Sequence, residues 1–520
     1  MTRSASPPPS TLPSQQHREP ALLPTTQKSL HIAPMLHVST REFRQLFRIL
    51  SKRVVLWTEM VVDELVYHNH EDRSNGTLET HLGYDDTNEH PVICQLGGIV
   101  PSHTALATQL AVERGYDEIN LNVGCPSDRV SGKREFGAVL MKQLSRLLLL
   151  VQAMRENAGD TPISVKCRLG VDDWDSWEVL EEFVDTLRPY CRIFYVHARK
   201  CLLQVLSPAQ NRLVPPLNYP RVYRLCERFP DCDFYINGGI PGLRAAKTLC
   251  YGTAVMAERG NDQQETDSGV LPLEMLPTIS TEEVPSEGHH AVPCELCKLS
   301  NGSCIAPPSV APGNLKGCML GRAAMDHAAQ FWDVDRFIYG EPSNPCRNRR
   351  QVLTQYAEYL ERTYPRRCCD DQDNYVTAPR WPSTPVEHTK AFCTNCAEFY
   401  CVDDLKDGES NCITLDDVVP SVIGPYKVSS RVLERCLKPV WSLLHHMPQA
   451  KNFRKACDRY GQSAYRNCGP AIVLRKAMQV LPDNVWDRDF VRTDDVKNDD
   501  LVIRTAPTPS CDSCHVKQRH

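Results

Sequence analysis

From about residue 30 the chain alternates short apolar runs with stretches of helical period. Eight runs read as strands: 30–34, 54–57, 92–96, 118–122, 163–167, 193–197, 234–237 and 317–320. Between them lie helical patterns at 104–114, 145–157, 176–187, 220–229 and 243–250. The runs are β-branched and apolar on both faces, as strands covered on both sides must be. Eight strand and helix repeats over about 300 residues predict an α/β fold, a (β/α)8 TIM barrel. Two stretches break the rhythm. Residues 255–312 and 365–424 are acidic and aperiodic, and read as surface insertions or disordered loops. Helical period returns at 429–446, 449–460 and 470–480, predicting a smaller all-helical C-terminal domain. The expected organisation is therefore a tail at 1–29, a barrel at 30–340, a helical domain at 341–482 and a tail at 483–520.

Composition changes this picture little. Hydrophobic residues make up 41%, enough for a large core. No stretch approaches the roughly 20 apolar residues of a membrane span, so no membrane partner is expected. Residues 1–28 are rich in Pro, Ser, Thr and Gln and lack the apolar centre of a secretory signal. A cytoplasmic protein with thiols rather than disulfides is expected, despite 24 cysteines. A mitochondrial or plastid transit segment is the alternative reading of the first residues. A monomer is expected.

Charge changes it more. The net charge of -5 argues against a polyanion partner until its distribution is read. Residues 261–310 hold eight acids and one base. Residues 425–480 hold eleven Lys and Arg against Glu434 and Asp458. That basic block is the footprint of a polyanion binder, or else a solvated helix face.

In a parallel barrel the residues just past the strands form the active-site mouth. Here seven ends of eight carry candidate site residues, six of them polar. They are Ala33-Pro34-Met35; Gln95 leading into Gly97-Gly98; Asn122 and Cys125; Lys166 and Arg168; His197, Arg199 and Lys200; Asn237-Gly238-Gly239; and Gly321-Arg322. The last two present backbone N–H groups without Cβ obstruction and lead into helices, the pattern of a barrel phosphate site that Arg322 could close. No G-x-G-x-x-G follows an early strand, so a phosphate-bearing cofactor within the barrel is favoured over a Rossmann cofactor. Lys166 suits stabilisation of negative charge on a reduced ring cofactor.

Several blocks together resemble a known family. Asn120-Leu-Asn-Val-Gly-Cys-Pro-Ser-Asp-Arg-Val130, Val165-Lys-Cys-Arg-Leu-Gly170, Val196-His-Ala-Arg-Lys200, Leu206-Ser-Pro208, Tyr219-Pro-Arg-Val-Tyr223 and Ile236-Asn-Gly-Gly-Ile240 are similar to the tRNA-dihydrouridine synthases, most of all their A subgroup. The likeness covers about 30–364 and 425–480. It implies an FMN-containing barrel with a C-terminal helical domain that reduces D-loop uridine in tRNA to 5,6-dihydrouridine, with NADPH as reductant. It implies FMN contacts from Pro34, Met35, Gln95, Lys166, His197, Asn237, Gly238, Gly239, Gly321 and Arg322, and tRNA contacts from Asn122, Lys451 and Arg454. Arg212 is added because it follows the Leu-Ser-Pro loop. Hydride passes from N5 of the flavin to C6 of uracil, and Cys125 supplies the proton at C5. The base must leave its stack, so a narrow pocket lined by Asn122 and Arg199 is expected. Loop residues Arg129, Lys133 and Arg134 would draw in the RNA backbone. The alternatives are a reductase of free pyrimidines and a non-catalytic tRNA-binding protein. Cys294, Cys297 and Cys304, and Cys393, Cys396 and Cys401, have zinc-compatible spacings but read better as incidental thiols, so no metal is expected.

Overall fold

The structure is a computed structural model of the 520-residue chain. It describes residues 27–71, 76–85, 87–126, 136–203, 205–253, 307–364, 428–463, 465–466 and 469–491. These form two compact units. One comprises residues up to 39 together with 55–321; the other comprises 40–54 and the residues from 322 on.

Nine strands build the first unit: β1 (Ser29–Ile32), β2 (Leu56–Trp57), β3 (Val61–Val62), β4 (Val92–Gly97), β5 (Glu118–Val123), β6 (Ile163–Arg168), β7 (Ile193–His197), β8 (Asp233–Asn237) and β9 (Leu315–Leu320). All pairings are parallel, in the order β1-β9-β8-β7-β6-β5-β4-β2. The ends of that order meet. Ile32 N–H donates to Val55 O and Val55 N–H donates to Leu30 O, both at 2.9 Å. Eight strands thus close into the (β/α)8 barrel that the apolar pattern predicts. β3 extends the line of β2 along β4, pairing Val61 with Leu96. The long acidic segment before β9 does not interrupt closure, since β9 pairs with both β8 and β1.

The helices follow from local chemistry. In chain order α1 is Arg41–Leu50, α2 Asp63–Asn69, α3 Thr77–Leu82, α4 Pro101–Glu113, α5 Leu144–Asn157, α6 Trp177–Leu187, α7 Tyr219–Arg228 and α8 Leu243–Tyr251. Ser176 caps α6 by accepting from Val179 N, and Asn218 caps α7 by accepting from Arg221 N. Pro101 opens α4, where its missing N–H costs nothing.

The barrel interior sets aromatic and polar side chains among aliphatic ones such as Val55, Ile93 and Met319. The rings of Tyr195 and Tyr235 stack at 4.3 Å, with His31 4.7 Å from Tyr235 and Trp57 4.7 Å from Tyr195. Trp57 Nε1–H donates to His31 Nδ1 at 3.2 Å, so His31 Nε2 carries the proton and donates to Ser29 Oγ at 2.7 Å. Burial holds His31 neutral and pushes its pKa down to about 3. Glu118 is the opposite case. Its carboxyl meets the hydroxyls of Ser164 and Tyr195, and burial pushes its pKa up to about 7 from 4.5. A raised carboxyl pKa means that ionisation costs folding free energy. The penalty is absent below about pH 4.5, grows as pH rises and is complete above about 7. The unfolding free energy is therefore expected to lose about 3 kcal/mol between pH 5 and 8 through this group. Glu118→Gln should remove that slope. Urea titrations of both proteins across this range check it; equal slopes would overturn the assignment.

The second unit is helical. It contains α1 and, from residue 322, α9 (Arg322–Asp326), α10 (Val334–Phe337), α11 (Arg349–Thr363), α12 (Ser430–Leu437), α13 (Ala450–Gln462), α14 (Pro470–Met478) and α15 (Asp483–Asp487). α1 packs against α11 and α12. Its Glu42 is buried, accepts from Tyr364 Oη and lies 3.5 Å from Arg435 Nη2. Among the described residues no helix is long and apolar enough to cross a membrane.

Candidate active site

The end of β5 is a built turn. Asn122 Oδ1 accepts from Gly124 N at 3.2 Å and Cys125 N at 3.0 Å, an Asx-type arrangement that folds the chain back on its own side chain. Arg168, at the end of β6, donates from Nε to Gly124 O at 3.2 Å and from Nη1 to Asn211 O at 3.0 Å. Cys125 O in turn accepts from Ala138 N at 3.0 Å. The Cys125 peptide is thus held on both sides while its side chain stays part-exposed. Among the described residues it is the one cysteine that is not buried. The thiols of Cys167 and Cys201 are buried, which pushes them up to about 12 and about 11.

The ends of β6, β7 and β8 meet beside it. Lys166 Nζ donates to Asn237 Oδ1 at 3.2 Å, and Asn237 Nδ2 donates to Met319 O on β9 at 2.8 Å. Burial, then the Arg168 guanidinium, lowers Lys166 to about 8. The ammonium therefore keeps its proton at neutral pH and loses it just above. Gly238 and Gly239 follow, with φ of 116° and 65°. A Cβ on Gly238 would lie 2.7 Å from His197 Cδ2, and one on Gly239 would lie 2.5 Å from Leu217 Cδ1. Only glycine fits both the backbone and the space. Tyr219 Oη donates to Gly238 O and steadies the turn. A Cβ on Gly321 would lie 3.4 Å from Ala33 Cβ and 3.6 Å from Met35 Sδ, so the ends of β9 and β1 adjoin. Met35 N–H donates to Ser39 Oγ, which donates to Ala33 O, closing the loop after Pro34. Gln95, fully buried, accepts from Asn122 Nδ2 at 2.8 Å.

The barrel mouth therefore brings together Gln95, Asn122 and Cys125 on one side and Lys166, His197, Asn237, Gly238 and Gly239 on the other, linked across β5 and β6 by the Asn122–Lys166 register. Arg199 has a different setting. It is buried and donates to the carbonyls of Leu213 and Pro215, anchoring that loop. Arg212 is exposed in the same segment, beside exposed Leu213 and Val214. In the helical unit Arg322 is exposed at the start of α9. Lys451 and Arg454 are exposed on α13, with Lys455 and Arg459, while Phe453, Ala456 and Cys457 are buried. Arg129, Lys133 and Arg134, and the cysteines at 294, 297, 304, 393, 396 and 401, lie outside the described residues.

Sequence reasoning did not give Arg168 its part in holding Gly124, nor single out Leu217 as the wall behind the glycines or Ser164 and Glu118 beneath Asn120. For the last two the available signal was a polar residue inside an otherwise apolar strand.

Residues 31–266 match the family model of dihydrouridine synthase. The chain is 46% identical over 257 residues to the tRNA-dihydrouridine(20/20a) synthase of Escherichia coli O6:H1, covering 49% of this chain and 74% of that protein. It is 46% identical over 257 residues to the protein of that description in Escherichia coli K12, covering 49% and 71%. With the one in Salmonella typhi it shares 44% over 285 residues, covering 50% and 82%.

Proposed function

The chain belongs to the dihydrouridine synthase family, and from that premise we propose that it reduces a D-loop uridine of tRNA to 5,6-dihydrouridine, with FMN as resident cofactor and NADPH as reductant. The observation that carries this reading is the shared barrel mouth. A part-exposed thiol on a fixed turn after β5 lies one strand away from a lysine on β6, and that lysine reaches Asn237 beside a glycine pair that admits no side chain.

The residues fit a flavin mononucleotide. Gly238 and Gly239 have positive φ and are packed so closely by His197 and Leu217 that no Cβ fits, which fixes a glycine turn at the strand end of the kind a barrel phosphate site uses. Asn237 holds the Lys166 ammonium, a charge suited to an electron-rich ring, and Gln95, Pro34, Met35 and Gly321 complete the proposed wall. When bound, FMN supplies the hydride for C6 of the uracil. Everything else falls to the chain. Cys125 delivers the proton to C5, where negative charge collects once C6 is reduced. A thiol carries a transferable proton and can act as the acid. Asn122 and Arg168 fix the peptide that carries it. Arg212 and its exposed apolar neighbours are proposed to meet RNA, with Arg199 holding their loop.

The basic face of α13 is proposed to contribute affinity for the tRNA backbone. Replacing Lys451 and Arg454 together with Ala should raise KM for tRNA about tenfold and leave kcat unchanged. It should also flatten the salt dependence of binding by about 0.9 per lost phosphate contact. Filter binding at several salt concentrations checks this; an unchanged slope would remove the two residues from the interface.

The deciding experiment is an absorbance spectrum of the purified protein, followed by NADPH oxidation with unmodified tRNA or free uracil. Flavin with tRNA-dependent turnover supports the proposal. Turnover on the free base alone would make the protein a pyrimidine reductase. A colourless protein that binds tRNA would leave only the binding role.

A further inference from the structure

A file of polar side chains runs from the floor of the barrel to the Cys125 turn, and backbone donors fix its direction. The N–H groups of Gly124 and Cys125 can only donate, so the Asn122 atom they reach is its oxygen. That leaves Asn122 Nδ2 to donate to Gln95 Oε1, at 2.8 Å. Gln95 must then donate from Nε2 to Asn120 Oδ1, at 2.9 Å. Asn120 donates from Nδ2 to Ser164 Oγ, at 2.7 Å. Ser164 donates onward to Glu118 Oε1. Register explains the alignment, because Gln95 pairs with Asn120 and Asn120 with Ser164 across β4, β5 and β6. Glu118, Asn120, Gln95 and Ser164 are all buried. Turning any one amide over would set donor against donor or acceptor against acceptor along the file, a mismatch that is costly for buried polar groups. A file in which every member donates downward needs an acceptor at its foot. Glu118 Oε1 is that acceptor, while its Oε2 pairs with the Tyr195 hydroxyl at 3.2 Å.

We propose that Glu118 is a positioning residue for Cys125: through Ser164, Asn120 and Gln95 it locks the Asn122 carboxamide, which holds the Cys125 peptide. The catalytic consequence rests on the proton-donor role given to Cys125 above; the mechanical link does not. Glu118 touches neither the turn nor any reacting atom, and its influence passes entirely along the file. The acceptor can be a carboxylate, a carboxylic acid or an amide oxygen, so Gln should replace it. In Glu118→Gln the amide oxygen accepts from Ser164 and the amide nitrogen donates to the Tyr195 oxygen. Ser164→Ala cuts the file and leaves Glu118 with its tyrosine. Tyr195→Phe removes a buried hydrogen bond to the same carboxyl but leaves the file whole.

The test uses the purified full-length protein in two readouts. One is the rate at which iodoacetamide alkylates Cys125 without tRNA, followed by peptide mass spectrometry. The other is kcat and KM with unmodified tRNA. Ser164→Ala should speed alkylation about fivefold and lower kcat about tenfold with KM within about twofold, since a small misplacement of a reacting group costs rate rather than affinity. Glu118→Gln and Tyr195→Phe should stay within about twofold of wild type in both. If Tyr195→Phe matches Ser164→Ala, the network serves only the fold and the proposal falls. It also falls if Ser164→Ala alkylates at the wild-type rate. If the alkylation pattern holds but the wild-type protein shows no turnover with tRNA, the relay stands and the functional reading fails.

Discussion

Cys125→Ala is expected to bind flavin and tRNA as the wild-type protein does and to turn over at least about a hundredfold more slowly, the usual loss when a positioned general acid is removed. The turn should survive the substitution. Asn122 bonds to the backbone N–H groups of residues 124 and 125, and Ala138 to the backbone carbonyl of 125, and these three bonds do not depend on the residue 125 side chain. Nor can a neighbouring thiol stand in. Cys167 and Cys201 are buried, and that burial pushes their pKa values to about 12 and about 11. Single-turnover reduction of tRNA by the prereduced variant isolates the step. A rate within a few-fold of wild type would end the proton-donor assignment.

Gly238→Ala should cost the protein its flavin. The residue sits at φ 116°, where an L side chain is strained, and its Cβ would lie 2.7 Å from His197 Cδ2 and 3.1 Å from Leu217 Cδ2. Relief requires the turn after Asn237 to rotate, which disturbs the residue that holds Lys166. Strain of this kind costs about 1–3 kcal/mol in stability. The affinity for FMN should fall further, by about a hundredfold, because the cradle itself changes shape. Gly159→Ala is the control. That glycine also has a positive φ, 54°, but a Cβ there meets nothing within 4 Å, so it bears strain without a collision. The flavin-to-protein absorbance ratio, read beside circular dichroism, separates loss of cofactor from loss of fold. A folded Gly238→Ala protein with full flavin would remove the glycine pair from the cofactor site.

The barrel was legible because its strands are buried on both faces. That constraint writes continuous apolar runs, and the eight regions where they occur are the eight strands that close. Their ends were legible because polar residues just after such runs have few structural reasons to be there. The helix α1 was not. Its sequence, Arg41-Glu-Phe-Arg-Gln-Leu-Phe-Arg-Ile-Leu50, is half polar, yet nine of its ten residues are buried. Arg48 turns back to the carbonyls of Ser51 and Val54 just past the helix end, and Glu42 meets Tyr364 and Arg435, which lie in segments that no local pattern connects to it. That also is why α1 joins the helical unit although it follows β1 in the chain.

The sequence by itself determined which residues stand at the ends of the strands, because a strand has period two and a barrel has one mouth. It also marked Asn237-Gly238-Gly239 as a turn at a strand end. Only the tertiary structure decided what the polar side chains do to one another. Arg199 reads in sequence as a pocket residue and proves to be a buried anchor for the Leu213 and Pro215 carbonyls. Glu118 reads as the edge of a strand and proves to be the foot of a hydrogen-bonded file that ends at Cys125. The reason is physical: period and propensity are local, whereas a hydrogen bond is settled by which donor and acceptor the closed barrel brings within 3 Å of each other.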